Sequence, residues 1–270
     1  MGRRRRHNAS LPIDVNPCQL QEGTQPAMSQ SGQNPCGAGI YRENVGISPA
    51  SPLQFHRHTW GELTYVLRGV VVLNLIETSW LIPPNYFCWI PAGVWHRGGP
   101  IGRCDVCFWR GPAKSFTTLP KEPCLLDISQ QRIQFLRPFS MERKVSPKDA
   151  VSLLENAVAV EFPLRYPRTK RMQQITEQFV VAPATTCNIE TCSCQAGMSR
   201  RTFTRQFRQE TGASIGSWVK RLKCIQARQL IQENLPINYV SQFLGYRSPS
   251  AFVAMFRREM NSTPGTHKSI

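Results

Sequence analysis

Gly197-Met-Ser-Arg-Arg-Thr-Phe-Thr-Arg-Gln-Phe207 has an echo further along the chain, Gly245-Tyr-Arg-Ser-Pro-Ser-Ala-Phe-Val-Ala-Met-Phe256. Each copy opens on a glycine free to take the left-handed backbone of a sharp turn. A serine suited to capping a helix follows, and then two phenylalanines four apart, which share one helical face. Ser199, Phe203 and Phe207 match Ser248, Phe252 and Phe256 at a constant offset of 49 residues. A helix-turn-helix also needs a first helix whose apolar side packs beneath the second. Ile237, Val240 and Leu244 supply that side before Gly245. Asn188 as N-cap, with Ile189, Cys192 and Ala196, supplies it before Gly197. The pattern predicts two helix-turn-helix units, over about 188–210 and 237–260.

At about 100° per residue, and with Phe203 pointing inward, Arg201, Arg205 and Arg208 fall on the outer side, flanked by Thr202 and Thr204. Guanidinium forks there suit phosphate oxygens and guanine edges. The second copy presents Ser250, Ala251, Ala254 and Arg257, a face suited to backbone contact or to thymine methyls. Candidate DNA contacts are therefore Ser199, Arg200, Arg201, Thr202, Thr204, Arg205 and Arg208, then Ser248, Ser250, Ala251, Ala254 and Arg257. The same residues also fit packed helices with a merely solvated basic face; two units in register weigh against that. Between the units, Ser214 to Gln232 carries Ile215, Trp218, Val219 and Leu222 at helical spacing, with Ile225, Leu230 and Ile231 widening the stripe. Such a strut of roughly 27 Å compares with the roughly 34 Å of one DNA turn.

The stretch from Asn188 to Ile270 resembles the AraC/XylS-type transcription regulator domain. The resemblance rests on Ala196-Gly-Met-Ser-Arg-Arg-Thr-Phe203, Glu210-Thr-Gly212, Leu244-Gly-Tyr-Arg-Ser-Pro-Ser-Ala-Phe252, Met255-Phe-Arg-Arg258 and Thr263-Pro264. Departures are Cys192 and Ser193, where an apolar residue and an alanine are usual, and Thr266-His-Lys268 in place of an aromatic ending. The resemblance implies double-stranded operator DNA as partner, a homodimer, RNA polymerase as a further partner if the chain activates, and no catalytic residues.

Composition agrees with a polyanionic partner. The 270 residues carry a formal charge of +16, and the region from Thr186 onward holds 12 Lys/Arg against 4 Asp/Glu. Residues 1–40 are polar and without apolar periodicity, which predicts a disordered tail. The Arg3–Arg6 run is not followed by an apolar core, so an export signal is not expected, and no stretch is apolar enough to span a bilayer. A cytoplasmic, nucleoid-associated location follows. Cys104 and Cys107 on a strand, and Cys192 and Cys194 on a helix, each point apart, which argues against zinc and for reduced thiols.

Residues 41–120 change character to short runs rich in Val, Ile, Leu, Trp and Tyr, punctuated by Pro and Gly. Strands are predicted at Leu63–Gly69, Val70–Ile76 and Phe87–Pro91, with turns at Arg68-Gly69 and Ile82–Asn85. This region resembles the cupin barrel. His56-Arg-His58-Thr-Trp-Gly-Glu62, with Gly69 seven residues beyond, follows the first cupin motif, and Pro91-Ala-Gly93-Val-Trp-His96 follows the core of the second. Asn85 and Pro100 depart from that second motif. In metal-holding cupins His56, His58, Glu62 and His96 would be the ligands, and imidazoles two apart on a strand do share a face. The resemblance to regulators instead makes His56, His58, Glu62, Trp95 and His96 the walls of a pocket for a small organic effector, with no metal or cofactor. Trp60 and Trp89 are further pocket or core candidates.

Residues 121–166 are read as a helical dimerisation segment and linker. Ser146-Pro147 opens a helix whose face is Val151, Leu154, Ala157 and Val158, and Phe162–Pro167 forms the linker. Residues 167–270 then form the DNA-binding domain. The expected fold is α+β, an N-terminal cupin-like β-barrel followed by an all-α double helix-turn-helix domain. The expected function is an effector-controlled transcription regulator, and the resemblance implies a neighbouring transporter gene as its target. Rival readings are a metal-dependent cupin enzyme with a DNA-binding appendage and an architectural DNA-binding protein.

Overall fold

The computed structural model describes residues 21–22, 41–48, 54–84, 86–127, 158–160 and 164–267. Nine strands form one sheet: β1 (Gln21–Glu22), β2 (Tyr41–Ile47), β3 (His56–Arg57), β4 (Trp60–Leu75), β5 (Ser79–Ile82), β6 (Phe87–Ile90), β7 (His96–Pro112), β8 (Cys124–Asp127) and β9 (Val158–Val160). The long antiparallel pair β4–β7 is its spine. β2 and β3 join β7, while β5 and β6 pair with opposite halves of β4. Strand alternation sorts the side chains into two layers. Leu63, Tyr65, Trp89 and Trp109 pack with Phe116 in one. Val66, Val71, Leu73, Ile82, Ile90 and Val106 pack in the other, which curls around a cavity. Cys104 and Cys107 fall in different layers, as the alternation requires.

The expected turn at Arg68-Gly69 is instead a β-bulge inside β4. Pairing with β7 continues through it, with register shifts between Val66, Arg68 and Val70. Gly69 has φ +84°, and a Cβ there would lie 2.6 Å from the Arg103 carbonyl oxygen. The glycine therefore bends the strand rather than reversing it.

Six helices follow: α1 (Lys170–Val181), α2 (Ile189–Gln195), α3 (Arg200–Thr211), α4 (Ile215–Gln232), α5 (Ile237–Phe243) and α6 (Pro249–Met260). The expected caps are made: Asn188 accepts from the backbone N–H of Glu190 and Thr191, Ser199 from Thr202 and Ser248 from Ala251. Ser214, counted within the strut from sequence, caps it instead, accepting from Ser217. The turns close on Gly197 (φ +63°) and Gly245 (φ +78°). Gly245 has a second reason to be glycine, because a Cβ there would stand 2.7 Å from the carbonyl oxygen of Ala184, in the connection between α1 and α2. Phe203, Phe207, Phe252 and Phe256 are fully buried. The strut α4 is buried on two sides, against α3 through Trp218 and Leu222 and against α6 through Cys224, Ala227 and Ile231.

Two expectations fail between the sheet and the helices. Val158, placed on a helical face by the sequence, belongs to a strand, with Ala159 opposite Leu126 of β8. The run Val158-Ala-Val160 alternates branched residues in the manner that suits a pleated surface. The rest of the expected helix, 146–157, lies outside the described residues. β8 and β9 thus carry the sheet past residue 120.

The expected linker is not a tether either. Leu164 and Tyr166 are buried and pair with the edge of β5: Leu81 N–H donates to the Leu164 carbonyl (3.0 Å), and Tyr166 N–H donates to the Ser79 carbonyl (2.8 Å). One apolar core joins Val70, Val72 and Leu81 of the sheet to Met172, Ile175, Phe179, Phe203, Phe207 and Trp218 of the helices. Phe162–Pro167 reads as a break in sequence, yet Leu164 and Tyr166 within it are buried and paired here. The Trp218 indole N–H donates to the Arg165 carbonyl at 2.7 Å.

Trp218→Ala is expected to cost about 3–5 kcal/mol, the range for emptying a large buried aromatic site. Because the core is shared, unfolding followed by urea should shift to lower denaturant for sheet and helix signals together. Loss of helix at an unchanged sheet midpoint would contradict the shared core.

Candidate functional site

On α3 the four arginines Arg200, Arg201, Arg205 and Arg208 are exposed, and Thr202 and Thr204 are half-buried. The four arginines and Thr204 border an open cleft with Ile189, the first residue of α2. Their partners separate them. Arg200 Nη1 donates to Glu190 Oε1 on α2 at 3.0 Å, Ser199 and Thr202 share the cap, and the Thr204 hydroxyl donates to the Arg200 carbonyl at 2.8 Å. Arg201, Arg205 and Arg208 therefore form the chemically open part of this face. The matching face of α6 is lined by Pro249, Ser250, Val253, Ala254, Arg257 and Arg258, with Ala251 exposed and the capping Ser248 half-buried. It offers fewer side-chain donors than the α3 face, and Arg258 joins it. Carrying over only the counterparts of Arg201, Arg205 and Arg208, at Ser250, Ala254 and Arg257, left out Arg258, which six residues from Phe252 lies about 120° from the inward direction.

α3 is held in place by its own last turn. The Glu210 carboxylate accepts from the backbone N–H of Arg168 (2.8 Å) and Thr169 (3.0 Å), so it caps the start of α1. The Glu-Thr-Gly signature carried this residue in sequence without revealing that role. Lys223 of the strut donates to the Leu244 carbonyl at the end of α5 (2.8 Å), tying the second unit to α4.

In the sheet domain, His56, His58, His96 and Glu62 are buried together, and His56 pairs with His96 across β3 and β7. Each imidazole donates from Nδ1 to a backbone carbonyl: His56 to Gln54 (3.0 Å), His58 to Trp60 (2.6 Å) and His96 to Val94 (2.9 Å). Carbonyls only accept, so Nδ1 of each ring carries a proton. Glu62 Oε2 accepts from Arg110 Nε at 2.8 Å. Burial alone would raise the Glu62 carboxyl above 4.5, but the Arg110 guanidinium, with His58 and His96, more than reverses this and holds it at about 2. Burial lowers both His58 and His96, the latter to about 4, against the attraction of Glu62.

The cavity beside this cluster is small, about 50 Å³, with Ile47, Val71, Leu73, Ile82, Ile90 and Val106 among its walls. Trp95, expected with the histidines, stands instead under Arg57, whose guanidinium carbon lies 5.1 Å from its ring centre. Trp60 stacks on His58 at 4.8 Å and 8°, and Trp89 is core, donating to the Pro120 carbonyl at 2.8 Å.

Known proteins share both halves of this arrangement. A family model described as a helix-turn-helix domain matches residues 192–269, and one described as an AraC-like ligand-binding domain matches residues 49–110. The HTH-type transcriptional regulator NimR of Escherichia coli strain K12 is 26% identical over 224 residues, covering 78% of this chain and 81% of NimR. The chain carries an AraC-type helix-turn-helix domain and an AraC-like ligand-binding domain, as AraC-family transcription regulators do. A second relative, the HTH-type transcriptional activator RhaR of Klebsiella pneumoniae, is 26% identical over 247 residues, 80% of this chain and 88% of RhaR. Among solved structures, the DNA-binding domain of AdpA in complex with a target DNA is similar at 29% identity, over 37% of this chain and 90% of that one, with a TM-score of 0.35. These relatives are regulators, and the rival reading as a cupin enzyme gains no support from them.

In this chain the sequence located the histidines and missed what faces them. Arg110 lies 48 residues from Glu62 and meets it only because β4 and β7 pair there. Arg110→Ala would leave the Glu62 charge buried and unpaired, an expected cost of about 3–5 kcal/mol. Thermal or urea unfolding of the full chain at neutral pH checks this. An Arg110→Ala, Glu62→Gln double variant should recover a large part of the loss.

Proposed function

We propose that the two helix-turn-helix units of this regulator enter successive major grooves of one operator, and that an effector held in the barrel sets how tightly they do so. The observation carrying the first part is the pair of capped helices α3 and α6, each with an open outer face, set at either end of an 18-residue strut. At about 1.5 Å per residue that strut spans roughly 27 Å, close to the roughly 34 Å between major-groove faces one turn apart. In this reading α3 supplies sequence readout through Arg201, Arg205 and Arg208, while α6 adds backbone grip through Ser250, Arg257 and Arg258.

Control from the barrel has a physical route in the shared core. Arg168 donates to the Glu77 and Ile76 carbonyls of the β4–β5 connection (2.7 and 3.0 Å), and Arg228 of the strut donates to the Tyr86 hydroxyl. An effector that favours one packing of this junction shifts operator affinity by its differential binding free energy, typically about 1–3 kcal/mol or roughly 5- to 150-fold.

The experiment is footprinting of the full chain on DNA upstream of its own gene and its neighbours. Two protected major-groove patches about 10 base pairs apart are expected. Arg201→Ala and Arg205→Ala should each cost about 1–3 kcal/mol on that site, and Ser250→Ala less. Wild-type affinity of both arginine variants at near-physiological salt would overturn the assignment of α3.

A further inference from the structure

Two thiols meet at the root of the first helix-turn-helix unit. Asn188 caps α2, so Cys187 stands just before the cap and Cys192 at the fourth helical position. Side chains at those two places close on one another across the first turn, the pairing by which an apolar staple fixes how the chain enters a helix. Here both members are cysteine. Cys192 is buried in the core shared by the sheet and the first unit, and the half-buried Cys187 packs against that core from outside. Both thiols are free.

The pair is not symmetrical. A hydrogen bond from the Cys192 thiol holds the Cys187 thiol below its ordinary value; burial opposes this, and the nearby Lys223 ammonium adds to it. The same bond, with burial, pushes the Cys192 thiol up. Lys223 registers the encounter too, since burial lowers it and Cys187 raises it. A thiolate is the nucleophilic form of cysteine, and a neighbouring cation favours that form. Cys187, half-open to solvent, is thus the attacking sulfur and Cys192 the one that follows it. Burial instead pushes up Cys88, Cys104, Cys124 and Cys224, which makes them poor nucleophiles.

The position ties the pair to both units. Glu190, between the two cysteines, holds Arg200 of α3, and Ile189 borders the arginine cleft. Ala184, three residues before Cys187, abuts Gly245, and Lys223 itself donates to the Leu244 carbonyl at the end of α5. An S–S bond of about 2.05 Å is far shorter than any non-bonded sulfur contact. Closing one across the first turn of α2 pulls on this connection and takes away the sulfur charge that Lys223 faces.

We propose that Cys187 and Cys192 form a thiol modification site that hydroperoxides oxidise to a disulfide, and that closing it weakens operator binding. The Cys187 thiolate attacks the terminal oxygen of the hydroperoxide. The O–O bond breaks, the departing oxygen takes a proton from solvent and leaves as an alcohol or water, and Cys187 is left as a sulfenic acid. The Cys192 sulfur then gives up its proton and displaces hydroxide from the sulfenic sulfur, and the two depart as water. Two thiols have lost two electrons and the hydroperoxide has gained them. The effect on operator binding rests on the regulator reading above; the oxidation does not.

The test uses the full chain, reduced and then exposed to hydrogen peroxide. Proteolysis after Glu190 separates the two cysteines, so mass spectrometry should find their peptides joined by a disulfide before any of the chain's other cysteines is oxidised. In Cys192→Ala a sulfenic acid should persist at Cys187 and be trapped by dimedone, while Cys194→Ser should oxidise as the wild type does. Lys223→Gln should slow the oxidation and Lys223→Arg, which keeps the charge, should restore it; equal slowing in both would remove Lys223 from the site. The cross-linked chain should bind the operator at least about 5-fold more weakly, and dithiothreitol should reverse this. Indiscriminate oxidation of the wild-type cysteines, or a disulfide that leaves out Cys187, would overturn the site whether or not the variants fold. Unchanged operator affinity of the cross-linked chain would overturn its effect on DNA. If the disulfide forms but the reduced chain binds no operator, the regulator reading and the operator effect fail together and the oxidation site stands.

Discussion

The hydrogen bond from the Trp218 indole to the Arg165 carbonyl stands where the sheet, the first helix-turn-helix unit and the strut meet. Trp218 belongs to the strut between the two helix-turn-helix units, and Arg165 belongs to the segment that pairs with β5. Around that bond one apolar core runs from Leu81 of the sheet to Phe203 and Phe207 beneath the first recognition helix. Dense interiors transmit displacement because they have few voids to absorb it. The sheet and the first helix-turn-helix unit therefore share their stability, while the second unit has its own core around Phe252 and Phe256 and meets the first through the strut.

Charge is distributed to the same plan. The open arginines lie on α3 at the far side of its buried phenylalanines, and Glu210 in the same helix turns back to cap α1. In the barrel, by contrast, the one carboxylate among the histidines is neutralised internally by Arg110. The polyanion-binding face and the ligand cavity thus do not compete for the same counter-charges. Each is set by partners within its own layer.

Much of this was legible in the sequence because it depends on short spacings. The caps at Asn188, Ser199 and Ser248, the turn glycines and the phenylalanine pairs are all decided within a few residues, and all are made as expected. The two cupin-like motifs likewise brought His56, His58 and His96 to one place. What escaped depends on pairing across the sheet. Arg68-Gly69 reads as a turn because a glycine looks the same in a turn and in a bulge; only the β7 ladder beside it decides. Val158 and the Leu164–Tyr166 segment join strands far away in the chain, and no local period announces such a partner. Trp95 was placed by proximity to His96, but neighbours on an extended segment point to opposite sides.

The approach of Gly245 to Ala184 has a further consequence, and it concerns phase. That contact wedges the turn of the second unit against the connection between α1 and α2, and Lys223 fixes the end of α5 from the strut. The two reading heads are consequently held at a set rotation about the strut, like cams keyed to one shaft. Each extra base pair in B-form DNA turns the helix by roughly 35°, given about 10–10.5 base pairs per turn. In the proposed two-groove reading, a protein whose halves cannot swivel freely would measure the interval between its two sequence elements as well as their letters, so a single inserted base pair would become a form of discrimination that no base contact supplies.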